Sequence, residues 1–531
     1  MKVLVADSMA ESGIERLRAE VTVDVRTKLS EQQLIDIIGE YDALVVRSQT
    51  QVTANIINAG TKLKVIGRAG VGINNIDVEA ATNRGIVVVN VPDGNTLAAA
   101  EHTMGMMLAL ARQIPQANDS LKGGAWDRKK FMGIELCGKV LGLVGIGRIG
   151  SEVARRARAF RMEVLAYDPF VSAEQANALD VQLVDLPELI RRADVISIHS
   201  PLTRETKGMI GEQELAAMKD GVRIVNCARG GIVDEDCLVA ALKSGKVAGA
   251  ALDVFSQEPV TNHPLFSLPN VVVTPHLGAS TYEAQDYNSM AIAEQVLKVL
   301  HGQPVENAVN LPMVAPEEWQ TLARYLPMAE ILGRCFAQSG VRSIDTLHLL
   351  FEGELAALPT ALLTNTVLKG VLAEVVSEPV NHINAALIAK RRGIKVIESR
   401  SSNGSGYRQR MVLKSESEPD RQVGVTLGPA GETRIIDVHG YRLDLVPEQH
   451  MILAPHTDKP GIIGKVGSTI GNYGINIAAM QVGRRAVGGP AVMALVLDDA
   501  ATDEILEQVK AVDGIKDARR VELPESLVKQ G

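Results

Sequence analysis

Three side chains suited to hydride and proton transfer follow apolar segments in the middle of the chain. Arg229 comes after RIVNC, Glu258 after GAALDVF and His276 after VVVT. An arginine fork binds a carboxylate through two hydrogen bonds, and a histidine can accept a hydroxyl proton while hydride leaves the same carbon. A glutamate beside the imidazole fixes its tautomer and stabilises its protonated form. Singly, each residue could be a surface ion pair, a turn residue or a loop cap. Together they predict oxidation of a hydroxyl group to a carbonyl.

This chemistry needs a hydride acceptor, and the segment from Val140 to Asp168 predicts one. It reads as an apolar strand, VLGLV, followed by a glycine turn and a helix. Gly145 permits the tight turn, Gly147 lets the backbone approach a pyrophosphate, and Gly150 lets helix and strand pack closely. The pyrophosphate would meet the unpaired N–H groups of the helix N-terminus. A second strand, EVLAY, leads to Asp168, eighteen residues after Gly150. A carboxylate there binds the ribose hydroxyls and favours NAD over NADP.

Six apolar segments from residue 140 onward indicate the sheet that must position these residues: VLGLV, EVLAY, VISIH, RIVNC, GAALDV and VVVTP. Strands alternating with helices predict a doubly wound parallel sheet. Ligands of such sheets bind outside the carboxyl ends of the strands, which is where Arg229, Glu258 and His276 stand.

The first 92 residues also alternate strands with helices and predict another parallel sheet. They contain a second glycine-rich segment, GRAGVGINNID, whose third glycine position is Asn75. We therefore exclude it as the dinucleotide site, although its N–H groups could hold a carboxylate. Residues 95–113 predict a long apolar helix with His102 in the core, and residues 123–131 (GGAWDRKKF) a basic loop.

Composition excludes several classes of protein. The 531 residues are 46% hydrophobic and 22% charged, as in a soluble protein of three or four domains. A net charge of −8 without a long Lys/Arg run argues against nucleic acid and membrane surfaces as partners. The four cysteines lack metal-ligand spacing, so we expect free thiols and no metal site. Without a signal-like leader or eighteen consecutive apolar residues, we expect a cytoplasmic protein.

The remainder of the chain predicts two smaller domains. Residues 310–317 (NLPMVAPE) indicate a linker, and residues 316–447 mix helices and strands without a catalytic set. The last eighty residues read strand, helix, strand, strand, helix, strand, a ferredoxin-like βαββαβ unit.

The segments VGIGRIG with Asp168, NCARGGIVDE, LDVFSQEP and TPHLGAST resemble the D-isomer-specific 2-hydroxyacid dehydrogenase family over roughly residues 1 to 310. The resemblance implies NAD as cofactor and Arg229, Glu258 and His276 as catalytic residues. It also implies a discontinuous substrate domain, residues 1–97 and 284–310, around a Rossmann NAD domain, residues 98–283. The cofactor contacts that it implies are Gly145, Gly147, Arg148, Ile149, Gly150, Asp168, Ser200, Cys227, Ala228, Arg229, Asp253, His276 and Gly278.

The carboxyl-terminal segments HTDKPGIIGKV and GINIAAM resemble ACT domains, which bind amino acids at paired interfaces. This implies an effector site formed by His456, Asp458 and, across the interface, Asn476. The expected fold class is therefore α/β, with two doubly wound parallel-sheet domains. An α+β intervening domain (316–447) and a ferredoxin-like ACT domain (450–531) follow them.

The whole order of domains is similar to the branch of this family that oxidises 3-phosphoglycerate to 3-phosphohydroxypyruvate with NAD in L-serine biosynthesis. The likeness implies L-serine as feedback effector, 2-oxoglutarate reduction as a side activity and a homo-oligomer, with a tetramer favoured over a dimer. It also implies substrate contacts at Arg47, Arg68, Gly70, Val71 and, from a neighbouring subunit, Arg128.

Three alternatives stay open. The substrate could be another 2-hydroxy acid, such as glyoxylate or lactate, although the arginines that could meet a phosphate and the ACT segment argue against it. The chain could also be a catalytically silent sensor of NAD and amino acids, which the intact set of Arg229, Glu258 and His276 disfavours. Finally, the ACT segment could serve assembly without binding an effector.

Overall fold

The computed structural model describes residues 1–341, 344–403 and 405–528. They form two compact units, one made of Met1–Ser8, Ile14–Asn90 and the described part of Ile292–Gly531, the other of Met9–Gly13 and Val91–Ala291. Residues 342, 343, 404 and 529–531, which fall within the predicted intervening and ACT segments, lie outside the described residues. The exact domain boundaries stay a prediction.

An open parallel sheet occupies the amino-terminal part of the chain. Its elements are β1 (Lys2–Val5), α1 (Glu11–Arg18), β2 (Thr22–Val25), α2 (Glu31–Ile38), β3 (Ala43–Val46), α3 (Ala54–Ala59), β4 (Val65–Arg68), α4 (Val78–Asn83) and β5 (Val87–Val89). The strand order is β2-β1-β3-β4-β5, and all neighbouring strands are parallel. Central strands such as β3 are buried along their whole length, because apolar side chains cover both faces of the sheet.

A second parallel sheet carries the residues singled out for chemistry. Its elements are α5 (Thr96–Arg112), α6 (Ile114–Lys122), β6 (Val140–Val144), α7 (Arg148–Ala159), β7 (Glu163–Tyr167), α8 (Ala173–Asn177), β8 (Gln182–Leu183), α9 (Leu186–Arg192), β9 (Val195–Ile198), α10 (Glu212–Ala217), β10 (Val222–Asn226), α11 (Glu235–Ser244), β11 (Val247–Leu252), a 3-10 helix (Pro264–Ser267) and β12 (Val271–Val273). The order β12-β11-β10-β9-β6-β7-β8 has seven strands, so the six predicted strands were one too few. The missed strand, β8, has only two residues, too few for an apolar pattern to be recognised.

Two apolar layers hold this second sheet in place. Met104 and Leu110 of α5 pack with Leu141 of β6 on one face. Leu189 of α9 and Leu238 of α11 pack in the core on the other face. Apolar residues thus cover both faces of the sheet, and the strand order reverses between β6 and β9. Doubly wound sheets bind their ligands at such a point.

The chain continues through α12 (Tyr282–Leu300) into a mixed sheet with helices. The elements are α13 (Pro316–Ala323), α14 (Leu326–Gln338), β13 (Thr346–Gly353), a 3-10 helix (Glu354–Ala357), α15 (Ala361–Ala373), α16 (Ala385–Arg391), β14 (Lys395–Ser401), β15 (Gln409–Ser415), β16 (Gln422–Leu427), β17 (Thr433–Val438) and β18 (Tyr441–Leu445). The strand order is β14-β13-β15-β16-β17-β18. In β17 and β18, charged residues interrupt the apolar alternation, so a local pattern does not predict these two strands.

The carboxyl-terminal part forms the predicted βαββαβ unit. Its elements are β19 (His450–Thr457), α17 (Ile462–Gly471), β20 (Ile477–Arg484), β21 (Pro490–Leu497), α18 (Asp503–Lys510), β22 (Arg519–Glu522) and a final short helix, α19 (Glu525–Val528). The sheet is antiparallel in the order β20-β21-β19-β22. One face of it joins the core of the intervening domain, where Met451 and Val492 pack with residues such as Leu413. The predicted fold class is confirmed.

None of the helices described is long and apolar enough to cross a membrane. Within residues 1–341, 344–403 and 405–528, no group of three or more His, Cys, Asp and Glu side chains is placed to hold a metal ion.

Candidate active site

The predicted histidine and glutamate form a hydrogen-bonded pair. His276 Nδ1 lies 2.6 Å from one carboxylate oxygen of Glu258, and the other oxygen accepts the Phe255 N–H at 3.0 Å. Burial alone would raise the pKa of Glu258, but the hydrogen bonds from His276 and the Phe255 amide hold it below its usual value. Because an ionised carboxylate only accepts, Nδ1 must carry the proton. Nε2 of the half-exposed His276 ring is therefore the basic nitrogen.

Arg229 follows β10 and is half-buried. Its Nη1 donates to the Ala228 carbonyl at 2.7 Å, which leaves other guanidinium N–H groups for a ligand. Burial lowers the pKa of Arg229, and the charge of Glu258 opposes that shift. The buried Asn226 side chain holds the Arg229 loop through two hydrogen bonds. It donates to the Arg229 carbonyl at 2.9 Å and accepts the Ala228 N–H at 3.1 Å.

The loop that carries Glu258 is held from α11 and from the Arg229 loop. Glu235 accepts the Ser256 N–H at 2.6 Å and the Ser256 hydroxyl at 3.0 Å, and its carboxylate lies 3.1 Å from His263 Nε2. A side chain at Gly230 would overlap the Phe255 carbonyl, so the two loops touch backbone to backbone. These contacts set where Arg229 and Glu258 can stand.

The geometry of the glycine turn fits the three functions predicted for its glycines. Gly145 has φ +97°, and a Cβ there would lie 2.9 Å from the His199 carbonyl. A Cβ at Gly150 would overlap the Gly145 carbonyl oxygen, whereas one at Gly147 would meet no atom of the described residues within 4 Å. The backbone at Gly147 thus borders open space at the start of α7, which has no side-chain cap. Uncapped N–H groups and the helix dipole favour a pyrophosphate.

Other residues beside this turn also fit a dinucleotide. The Ser200 hydroxyl is buried and has no hydrogen-bond partner among the described residues, as expected for a group that forms a hydrogen bond with a ligand. Arg148 is exposed, and its Nη1 lies 3.4 Å from the Pro92 carbonyl, while Ile149 is half-buried. Burial raises the pKa of Cys227 to about 12, and the nearby charge of Asp253 adds to this, so its thiol stays neutral.

Asp168 lies at the end of β7, where its carboxylate is fixed by two backbone amides. Oδ2 accepts the Ile146 N–H at 3.0 Å and Oδ1 accepts the Phe170 N–H at 2.9 Å. Each oxygen keeps a lone pair for a ribose hydroxyl.

We expect Asp168→Ala to weaken NAD binding more than it slows the reaction, because the residue is at the ribose end of the predicted cofactor site. Calorimetric titration with NAD and the KM for NAD would measure the first effect, and kcat at saturating NAD the second. Asp180→Ala, which removes an exposed carboxylate of the same unit, is the matched control. A loss confined to kcat would contradict the assignment.

His199 follows β9 beneath the glycine turn, and burial lowers its pKa from 6.5 to about 4. Its Nε2 lies 2.9 Å from the Ser197 hydroxyl. The His199 imidazole binds a proton near pH 6.5 in the unfolded chain but only near pH 4 in the folded chain. Acidification between these two pH values therefore favours unfolding. At 1.36 kcal/mol per pKa unit, the loss of unfolding free energy reaches up to about 3 kcal/mol.

Urea unfolding of the wild type and of His199→Gln between pH 7 and pH 4 tests this prediction. The variant should lose less stability than the wild type over the same range. Equal pH dependence in the two proteins would rule out His199 as the source.

Asp253 is fully buried, and its carboxylate is surrounded by donors. It accepts the Thr274 hydroxyl at 2.6 Å and the N–H groups of Leu277 and Gly278 at 2.7 and 2.9 Å. Burial alone would raise the pKa of Asp253, but the hydrogen bonds from His102, Thr274 and the Leu277 amide hold it below its usual value. Contacts of Asp253 and Gly278 with the cofactor stay a prediction.

The predicted substrate residues Arg47, Arg68, Gly70 and Val71 belong to the first compact unit. Burial lowers the pKa of Arg47, and the charge of Asp7 opposes that shift. A side chain at Gly70 (φ +147°) would overlap the Arg68 guanidinium, so only glycine leaves that group its place. Val71 accepts a hydrogen bond from a neighbouring asparagine side chain at 2.6 Å. Arg128 lies in the second unit and is exposed.

The Arg47 loop is clamped by two polar side chains. Asp7 accepts the Arg47 N–H at 2.6 Å and the Thr50 hydroxyl at 2.6 Å. Asn75 donates to the carbonyls of Arg47 and Thr50, each at 2.7 Å. Asn75, which stands at the third glycine position of GRAGVGINNID and excluded that segment as a dinucleotide turn, therefore helps to hold the Arg47 loop.

The predicted effector residues do not bond to one another within the described chain. His456 is buried, and its Nδ1 lies 3.1 Å from the Ala454 carbonyl. Asp458 accepts Arg484 Nη1 at 2.8 Å, and this hydrogen bond lowers the pKa of the carboxyl. Asn476 donates to Asp498 at 2.8 Å.

Sequence reasoning missed three polar residues of the site. Asn226 and Glu235 brace the loops of Arg229 and Glu258, and a polar residue at the end of an apolar strand was the signal for Asn226. His102 was expected in the core, but its ring hydrogen-bonds with Thr274 and Asp253. No local pattern could have indicated that contact.

Comparisons with known proteins agree with this geometry. The chain matches the models of the D-isomer specific 2-hydroxyacid dehydrogenase NAD binding domain (residues 104–278), the D-3-phosphoglycerate dehydrogenase intervening domain (321–439) and the ACT domain (450–514).

Among curated proteins, it is 48% identical to a D-3-phosphoglycerate dehydrogenase of Synechocystis sp., over 98% of this chain and 95% of that one. It is 46% identical to that of Methanocaldococcus jannaschii, over 98% of this chain and 100% of that one. Among solved structures, the TT0316 protein of Thermus thermophilus is similar with a TM-score of 0.55 and 36% identity, covering 58% of this chain and 100% of its own.

The glycine turn, the unpartnered Ser200 hydroxyl and these matches establish an NAD-binding dehydrogenase. The chain belongs to the D-3-phosphoglycerate dehydrogenases of the D-isomer-specific 2-hydroxyacid dehydrogenase family.

Proposed function

We propose that the chain oxidises 3-phosphoglycerate to 3-phosphohydroxypyruvate with NAD, in L-serine biosynthesis. The observation that carries the proposal is the 2.6 Å pair of His276 and Glu258 at the strand ends that also present Arg229. Its substrate follows from the relatives, which are named D-3-phosphoglycerate dehydrogenase and match over nearly their whole length.

The reaction divides between three side chains. Bound NAD supplies the hydride acceptor. As the hydrogen at C2 departs with its electron pair, Nε2 of His276 accepts the C2 hydroxyl proton. Glu258 stabilises the imidazolium that forms, since its carboxylate already accepts from Nδ1. Arg229 holds the substrate carboxylate and polarises the oxygen that becomes a carbonyl. The same groups run in reverse when the keto acid is reduced.

We propose that the cationic side chains of Arg47 and Arg68 bind the substrate phosphate, together with Arg128 from a neighbouring subunit. A guanidinium fork matches phosphate geometry, and partial burial strengthens its attraction for an anion. The backbone at Gly70 and Val71 would help hold the carboxylate. Reduction of 2-oxoglutarate is proposed as a side activity of the same site.

For the ACT domain we propose L-serine binding by His456, Asp458 and, from a second subunit, Asn476. An amino acid needs both an acceptor for its ammonium group and donors for its carboxylate, and this set supplies both. A site completed across an interface requires a homo-oligomer, and we expect a cytoplasmic tetramer. Light scattering of the purified chain would give its mass.

The first experiment measures NADH formation from NAD and 3-phosphoglycerate at alkaline pH, with and without L-serine. High pH favours oxidation, because the reaction releases a proton. Activity suppressed by L-serine supports both the catalytic and the effector proposals, and activity indifferent to L-serine leaves the ACT domain an assembly role. Turnover of unphosphorylated 2-hydroxy acids alone would show that the substrate is a different 2-hydroxy acid. No turnover of any 2-hydroxy acid would favour a catalytically silent sensor of NAD and amino acids.

A further inference from the structure

The side chain of His102 reaches the buried carboxylate beneath the His276 loop. Its Nε2 lies 3.1 Å from the Thr274 hydroxyl oxygen and 3.2 Å from Asp253 Oδ1. The His102 side chain is 21% exposed and that of Asp253 is fully buried. Because Thr274 already donates its hydroxyl proton to Asp253, the His102 ring must donate from Nε2 to satisfy both neighbours.

Asp253 in turn organises the loop on which His276 stands. Its carboxylate accepts the Leu277 and Gly278 amides, and its own carbonyl accepts the His276 N–H at 2.9 Å. His276 has φ +58°, a left-handed conformation that is unfavourable for a residue with a Cβ. The bonds to Asp253 hold His276 in this conformation against that cost.

We propose that His102 is a positioning residue for the dehydrogenase reaction. Its Nε2–H fixes the Asp253 carboxylate and the Thr274 hydroxyl, and these fix the loop that aims the His276 imidazole. The inference rests on the proposed function, because it assigns His276 the proton transfer.

Two other neighbours of Asp253 do not replace this donor. The carboxylate of Glu258 and the polar Cys227 thiol both lie within the electrostatic reach of Asp253. Neither of these two groups supplies a positive charge. Among the described residues, His102 is the one basic side chain paired with Asp253. Without its N–H, a buried anion would lose a hydrogen bond while the repulsion from Glu258 remained.

The test compares His102→Leu with His102→Gln in the full-length enzyme. Glutamine can place an amide N–H near the position of Nε2, whereas leucine fills the space without a donor. We expect His102→Leu to lower kcat by about 10- to 100-fold, with the KM for NAD changed by less than about twofold, because a small misplacement of a reacting group is that costly. His102→Gln should recover most of the loss. The deuterium isotope effect with 3-phosphoglycerate labelled at C2 should rise in the leucine variant, since the chemical step becomes limiting.

His301→Leu, which removes a histidine paired with Glu20 in the other unit, is the matched control and should keep wild-type rates. If His102→Leu does not fold, Thr274→Val removes the shared partner of the same network and should give the same fall in kcat. Equal activity of the leucine and glutamine variants, or a loss confined to the KM for NAD, overturns the inference. A wild-type enzyme without turnover overturns the proposed function as well, so the two failures are distinct.

Discussion

His276→Ala lowers turnover by about 10²–10⁴-fold while NAD still binds, the effect expected for loss of a general acid and base. The substitution removes the nitrogen that we propose accepts the hydroxyl proton, and among the described residues it leaves Glu258 the Phe255 amide as hydrogen-bond partner. The glycine turn and Asp168 are untouched, so cofactor affinity should stay close to that of the wild type. Initial rates in both directions and calorimetric titration with NAD measure the two quantities.

His276→Asn serves as the companion variant for this experiment. Because His276 has φ +58°, asparagine suits the backbone better than alanine does, and it offers no base. Both variants should be equally inactive if the imidazole is the cause. A wild-type rate in both variants would remove His276 from the mechanism, and a rate recovered only in the asparagine variant would make its role conformational.

Gly230→Ala has the second largest expected effect. The added methyl group would overlap the Phe255 carbonyl and would approach the Ser256 nitrogen to 2.5 Å, so backbone must move. The moving segment leads directly to Glu258, and the glycine itself follows Arg229. A displacement of about 1 Å at reacting groups can lower kcat/KM by about 10²-fold. Overpacking of this kind also lowers the free energy of unfolding by about 1–3 kcal/mol.

Steady-state kinetics and urea unfolding of this variant separate the two effects. Gly105→Ala is the matched control, because a Cβ at that position of α5 meets nothing within 4 Å in the part of the chain that the structure describes. In a helix interior that change should be neutral or stabilise by roughly 0.5–1 kcal/mol. Full activity of Gly230→Ala would show that the two loops can separate without harm to the site.

Local patterns were enough to predict most of the second sheet. Strands buried on both faces are continuous apolar runs, so VLGLV and its partners could be read directly, and parallel pairing placed their ends at one edge. The exceptions have physical reasons. β8 is held by its neighbour β7 and not by an apolar pattern of its own. In the mixed sheet that follows, charged residues interrupt the apolar runs of β17 and β18, which are held by antiparallel pairing along that sheet.

By itself, the sequence determined the glycine turn, the strand ends that carry Arg229, Glu258 and His276, and the order of domains, because these depend on residue type and short spacing. Only the tertiary structure decided which side chains support them. Asn75 clamps the Arg47 loop, Glu235 braces the Glu258 loop, and His102 reaches Asp253. Each of these contacts joins residues that are distant along the chain, and a hydrogen bond forms between them only when packing brings donor and acceptor within about 3 Å.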